Sequence, residues 1–125
     1  MVIDTSAILA IFFEEKHATW VADQMKLHAP NLYMSTVNLT ETLILIQARQ
    51  PNMIKDLEKD IFSGGIRFIS PDIEQSKIAS IARFRHPFNL GDCFAYALAV
   101  TKNLPILTLD TDFKGIDHPV YLPPL

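Results

Sequence analysis

The chain has 125 residues, a formal net charge of −3 at pH 7, 49% apolar and 20% charged residues, and a single cysteine, Cys93. That length suits one domain spanning residues 1–125, and the apolar share excludes a disordered chain. A lone cysteine excludes an internal disulfide and a cysteine zinc cluster, so a reducing cytoplasm is the expected location.

Val2-Ile3 reads as a short strand, followed at once by Thr5-Ser6, which can cap a helix through Ala7 to Phe13. No basic leader with a cleavage site precedes it, and no apolar run approaches the ~20 residues of a membrane span. A second helix is expected from His17 to about Leu27, ended by Pro30-Asn31, and Leu32-Tyr33-Met34 reads as a second strand. Ser35-Thr36 opens an apolar helix through Leu39, Leu43, Ile44, Leu45 and Ile46, and Pro51-Asn52 restarts another that runs to Phe62. Gly64-Gly65 turns into a third strand, Ile66 to Ile69. Ser70-Pro71-Asp72 starts a helix to about Phe84, with the proline at the first helical position. After Pro87 and Gly91 a helix runs from Asp92 to about Lys102, then a fourth strand from Ile106 to Leu109, and Val120-Tyr121 offers a short edge strand. Strands alternating with helix-length segments predict an α/β fold of three α/β/α layers around a parallel sheet of about five strands.

Four acids fall where strands end or helices begin: Asp4, Glu41, Asp92 and Asp110. Each has an ordinary explanation. Asp4 suits a helix N-cap, Asp92 a first turn behind Asn89, and Asp110 a turn after a strand, while Asn38 and Glu41 have the spacing of a capping box. Glu41 fits its explanation least, because a carboxylate on so apolar a helix needs a partner. A parallel sheet carries its strand ends to one edge, where ligands bind. Converging carboxylates would repel unless cations neutralised them, and oxygen ligation is what Mg²⁺ or Mn²⁺ prefers. Asp112 lies two residues after Asp110; in an extended chain both would face one side, one meeting metal and the other a water. The charge of −3 lacks the basic surplus typical of nucleic-acid binders, yet divalent ions in the cluster would reverse the local sign.

Val2-Ile3-Asp4-Thr5-Ser6-Ala7, Glu41 on its apolar helix, Leu90-Gly91-Asp92-Cys93-Phe94-Ala95-Tyr96-Ala97 and Leu107-Thr108-Leu109-Asp110-Thr111-Asp112-Phe113 together resemble the PIN domain, especially the VapC-like toxins of toxin–antitoxin pairs. The resemblance spans the whole chain in order. It implies that Asp4, Glu41, Asp92 and Asp110 bind Mg²⁺ or Mn²⁺, with Asp112 as a secondary ligand or an alternative fourth acid, and that Thr5, Ser6 and Thr108 are supporting polar residues. The implied activity is an endoribonuclease that cuts tRNA or rRNA with a metal-activated water, leaving a 5′-phosphate and a 3′-hydroxyl, and so arrests translation. It also implies a homodimer and a cognate antitoxin that sends an Arg or Lys toward the acids; the apolar first helices, with Ile8, Leu9, Ile11, Phe12, Phe13 and Trp20, offer surface for either contact or side chains for the core.

Arg83 and Arg85, with Phe84 and His86, precede the Asp92 loop and could meet RNA, as could Lys114; a solvated helix end explains the arginines as well. His17, His28, His86 and His118 all lie outside the matched motifs, and Cys93 reads as a small hydrophobe of the helix. A receiver domain would need an acidic pair after its first strand, a Rossmann domain its glycine fingerprint, and a haloacid-dehalogenase-like phosphatase an Asp where Ser6 stands. The remaining rival is a non-catalytic PIN-like module that binds protein or RNA.

Overall fold

The computed structural model describes every residue from Met1 to Leu125. Five strands, β1 (Val2–Ile3), β2 (Tyr33–Ser35), β3 (Arg67–Ile69), β4 (Ile106–Leu107) and β5 (Val120–Tyr121), form one sheet in the order β3-β2-β1-β4-β5. All four pairings are parallel. Six helices connect them: α1 (Thr5–Phe12), α2 (Ala18–His28), α3 (Thr36–Arg49), α4 (Ile54–Ser63), α5 (Ile73–Arg85) and α6 (Leu90–Lys102). The chain builds outward from β1 through β2 to β3, then returns to place β4 on the other side of β1. Strand order therefore reverses between β1 and β4, and the crevice outside their carboxyl ends is where such a sheet binds ligands.

Period-two alternation sorts the strand residues between two apolar layers. Val2 and Ile106 pack with Ala79, Ala82, Phe88, Ala95 and Leu98 under α5 and α6. Met1, Ile3, Met34 and Leu107 pack with Ala7, Ile8 and Val21 under α1 and α2. Ala95, Ala97 and Ala99 are fully buried, which lets α6 approach the sheet closely. Leu9, Ile46, Leu57 and Ile61 form a smaller core between α1, α3 and α4.

Several boundaries differ from expectation for identifiable reasons. Asp72 is the N-cap of α5, accepting from the Gln75 amide at 2.8 Å, so Pro71 precedes the cap instead of occupying the first helical position. Ser35 caps α3 by accepting from Val37 N at 3.2 Å, which removes the capping role open to Asn38. α6 begins at Leu90 because Asn89 caps it. β4 ends at Leu107: Thr108 N still donates to Tyr121 O at 3.2 Å, but the amides after it turn to side chains, Leu109 N donating to Ser6 Oγ and Asp110 N to Thr108 Oγ1, each at 3.0 Å. The apolar first helix is absorbed by the core, with Ile8 and Leu9 buried and Ile11, Phe12, Phe13 and Trp20 packed against it. Apolar surface lies elsewhere: Ile44 is 58% and Phe84 93% exposed, with Phe62, Ile81 and Leu90 also uncovered. No helix is long and apolar enough to cross a membrane.

Candidate active site

The register of β1 on β4 pairs Ile3 with Leu107, so the residues just beyond, Asp4 and Thr108, emerge side by side at the switch point. Asp4 is 3% exposed and occupies the N-cap position of α1, yet makes no capping bond. Its Oδ2 instead accepts from Thr108 Oγ1 at 2.8 Å and Ser6 Oγ at 3.0 Å. The two hydroxyls also touch each other at 3.2 Å. Each is further oriented by a backbone amide, Thr108 by Asp110 N and Ser6 by Leu109 N. The ordinary capping explanation of Asp4 therefore fails: the carboxylate is held by two hydroxyls from opposite sides of the sheet's switch point.

Glu41 lies in the second turn of α3. Its Oε1 accepts from Thr5 Oγ1 at 2.9 Å and from Asn38 Nδ2 at 3.1 Å. Asp92 completes a true capping box: the Asn89 side chain accepts from Asp92 N at 2.9 Å, and Asp92 Oδ2 accepts from Asn89 N at 3.1 Å. Here the structural explanation and the site coexist, because the bond that caps α6 also aims the carboxylate. Asp110 likewise takes its turn role, Oδ1 accepting from Asp112 N at 2.9 Å at the head of a 3-10 turn, Thr111–Phe113.

The 3-10 turn overturns the expected extended placement of Asp110 and Asp112. They still converge, but by the turn: carboxylate oxygens of Asp92, Asp110 and Asp112 lie within 4.8 Å of one another. Phe113 anchors this turn in the core, its ring 4.7 Å from that of Phe88, which in turn precedes the Asn89 cap. One aromatic pair thus ties together the two segments that carry Asp92 and Asp110.

Asp4, Thr5, Ser6, Glu41, Asn89, Asp92 and Asp110 line one cleft of about 230 Å³, edged by Leu9 and Leu45. Asp112 sits at its outer rim, exposed. Each of the four lining acids has an oxygen held by the protein's hydrogen bonds, and in Glu41, Asp92 and Asp110 the side-chain hydrogen bonds all go to that one oxygen. None has a basic partner; the ion pairs of the molecule are Arg49 with Glu15 and His86 with Asp117. The charges are felt in the proton affinities. Burial pushes the Asp4 carboxyl up to about 6, against the hydroxyl bonds of Thr108 and Ser6. Burial, followed by the charge of Asp4, pushes Asp92 up to about 7, with smaller additions from Asp110 and Glu41. Four carboxylates without a counter-cation suit a hard divalent ion such as Mg²⁺ or Mn²⁺.

Asn38 and Gly91 are not among the site residues expected from the sequence, yet both are part of this arrangement. Asn38 is completely buried, and its Nδ2 reaches Glu41, Thr5 Oγ1 at 3.2 Å and the Gly91 carbonyl at 3.1 Å. The spacing to Glu41 was visible but pointed to a cap; only the packing of α3 on α1 and α6 gives the amide its partners.

The basic residues lie outside the cleft. Lys114 lines a separate cavity of about 500 Å³ together with Lys16, His17, Leu109 and Thr111. Arg83 and Arg85 project from the last turn of α5, Arg83 beside Phe84, Leu90 and Cys93, and Arg85 beside His86 and Tyr96. No histidine lines the cleft. His28 Nδ1 is bonded to Gln24 O and His118 Nε2 to Leu104 O. Cys93 is buried, and burial first, then the Asp92 charge, pushes its thiol up and away from nucleophilic reactivity.

Residues 1–119 match the PIN domain family. The chain is 32% identical over 127 residues to Ribonuclease VapC42 of Mycobacterium tuberculosis, covering 94% of this chain and 95% of that one. It is 35% identical over 128 residues to Ribonuclease VapC of Mycolicibacterium smegmatis, covering 92% and 91%. Among solved structures it is similar to Mycobacterium tuberculosis VapC20, described as a sarcin-ricin loop cleaving toxin, with a TM-score of 0.79 at 18% identity over 94% of this chain and 95% of that one. A toxin–antitoxin complex from Klebsiella pneumoniae gives a TM-score of 0.77 at 16% identity, over 96% and 94%. The structures bear on the fold and the sequences on the family: this chain belongs to the PIN-domain family, among its VapC ribonucleases.

Proposed function

We propose that the protein is a metal-dependent endoribonuclease, the toxin of a toxin–antitoxin pair, which hydrolyses an RNA phosphodiester in the cleft lined by Asp4, Glu41, Asp92 and Asp110. The supporting observation is the set of four carboxylates, each steered by hydrogen bonds from the protein and none paired with a base. These acids, with Asp112 at the rim, would hold Mg²⁺ or Mn²⁺, which supplies the charge that makes water nucleophilic near neutral pH and stabilises the phosphate under attack. Asp4 and Asp92 retain protons close to neutrality without a cation, so cation entry is coupled to their release. Thr108, Ser6 and Thr5 hold Asp4 and Glu41 in place while this exchange occurs.

RNA leaving the cleft past Asp110 meets the cavity of Lys16, His17 and Lys114, which no acidic side chain lines. Arg83 and Arg85 offer weaker contacts from α5. The neighbouring toxin–antitoxin structure supports an antitoxin partner, and the lone buried cysteine suits a reducing cytoplasm; a basic side chain from the antitoxin would substitute for the cation by charge, and a homodimer accords with the uncovered apolar side chains. The test is incubation of the purified protein with total RNA and defined tRNAs in Mg²⁺, in Mn²⁺ and in EDTA, beside Asp4→Asn. Cleavage that requires metal and disappears in the variant is expected; RNA binding without cleavage, equal in both proteins, would instead identify a non-catalytic module.

A further inference from the structure

Gly91 is the second residue of α6, where glycine weakens a helix and alanine would strengthen it. Its backbone does not call for glycine, since the left-handed glycines of this chain are Gly65 and Gly115. The reason lies in volume. A Cβ built on Gly91 would fall on the Glu41 carboxylate, far inside van der Waals contact with its carbon and both oxygens, and meets nothing else so closely. Glu41 thus lies in the space that a side chain at position 91 would fill.

The carboxylate oxygen nearest that position, Oε1, is the one held by Asn38. Its amide hydrogens serve Glu41 Oε1, Thr5 Oγ1 and the Gly91 carbonyl, joining α3, α1 and α6 around one acid. The same amide leaves its own Oδ1 buried without a partner. Reversing it would direct Oδ1 at the Glu41 carboxylate and the Gly91 carbonyl, two acceptors, so the unpartnered oxygen is the lesser cost.

We infer that Gly91 and Asn38 are positioning residues for Glu41: Gly91 by vacating the volume its carboxylate occupies against α6, and Asn38 by fixing that carboxylate through Oε1 while Oε2 is left without a hydrogen bond. This rests on the proposed metal-dependent nuclease reading for its consequence, though the contact itself does not. The far end of a glutamate is the flexible partner, so a methyl at position 91 displaces the acid and leaves the fold standing.

The test is a double-mutant cycle on the full chain: wild type, Gly91→Ala, Glu41→Ala and the double variant, each measured for thermal midpoint in EDTA and for Mn²⁺ binding by calorimetry. In the Glu41→Ala background, Gly91→Ala should raise the midpoint, as helix propensity dictates, and leave Mn²⁺ affinity within about twofold. In the native background it should fall short of that gain by about 3 °C or more and weaken Mn²⁺ roughly ten- to a hundredfold. Helix propensity acts alike in both backgrounds, so a matching change in the two would overturn the inference. If the wild type binds no Mn²⁺, the nuclease reading falls, while the midpoints in EDTA still decide whether Gly91 makes room for Glu41: additivity there overturns it and non-additivity upholds it.

Discussion

Asp110 faces the acidic cleft, while Leu109 and Thr111 on either side of it line the basic cavity, so one short segment separates two opposite ways of presenting charge. On the acidic side Asp4 and Asp92 are buried, and every carboxylate is held through a hydrogen bond. On the basic side Lys16 and Lys114 are exposed and join no ion pair. The difference follows from what each must meet. A divalent cation rewards oxygens fixed in advance, whereas a phosphate chain is attracted by point charges that need no fixed geometry. Substitutions should therefore act through position on one side and through charge alone on the other.

Asp92→Asn breaks the acidic side most severely. The amide keeps the shape and can still accept from Asn89 N, but removes one of four charges from the cluster. RNA cleavage should fall on the order of 10³-fold, while the thermal midpoint in EDTA at pH 8 should rise, because a buried charge repelled by Asp4 has gone. Loss of activity accompanied by a lowered midpoint would instead mark Asp92 as principally the cap of α6.

Thr108→Val separates position from charge, since it alters no acid. Asp4 Oδ2 loses its shortest donor in a buried setting, and Asp110 N its acceptor in a part-buried one. Unmet buried groups of this kind cost about 1–3 kcal/mol, and Mn²⁺ affinity should weaken roughly ten- to a hundredfold. Calorimetry showing unchanged affinity would mean that Asp4 is fixed by Ser6 alone.

The sequence made the sheet legible because each strand is an apolar run closed by a turn or a capping residue, and the same pattern located Asp4 and Asp110 at strand ends. The site was legible only in its charges. Nothing in Asn38-x-x-Glu41 distinguishes a cap from a clamp; the distinction arises because Ser35 caps α3 and Asn38 is buried against α1 and α6. Gly91 read as a loop residue for a similar reason, since the atom that requires it belongs to a helix 50 residues earlier in the chain. Asp110 and Asp112 were paired correctly by proximity and wrongly by geometry, because the Asp112 amide bonds back to Asp110 and closes a turn.

Acid titration probes the same cluster without substitution. Asp4 and Asp92 hold protons more tightly in the folded chain than in the unfolded one, whose carboxyls titrate near 3.8. Between about pH 4 and 7 the folded state therefore binds the extra protons, and its stability must fall as pH rises through about 6 to 7. Metal-free protein should melt higher at pH 5 than at pH 8, by about 5 °C, and Mn²⁺ should remove or invert that slope, because it competes with the protons. Melting curves in EDTA that rise steadily from pH 5 to 8 would contradict the burial of these acids.

The smallest effect is expected on the basic side. Lys16→Ala with Lys114→Ala removes two exposed charges and no packed group. Each phosphate contact to a single strand contributes about 0.7 to the logarithmic salt slope of binding, so the pair should reduce that slope by roughly 1.4. KM for RNA should rise several-fold at moderate salt, with kcat, Mn²⁺ affinity and thermal midpoint unchanged, and the variant should converge on wild type as salt is raised and the charges are screened. A fall in kcat instead would make these lysines part of the positioned machinery, and the division between fixed acids and mobile bases would not hold.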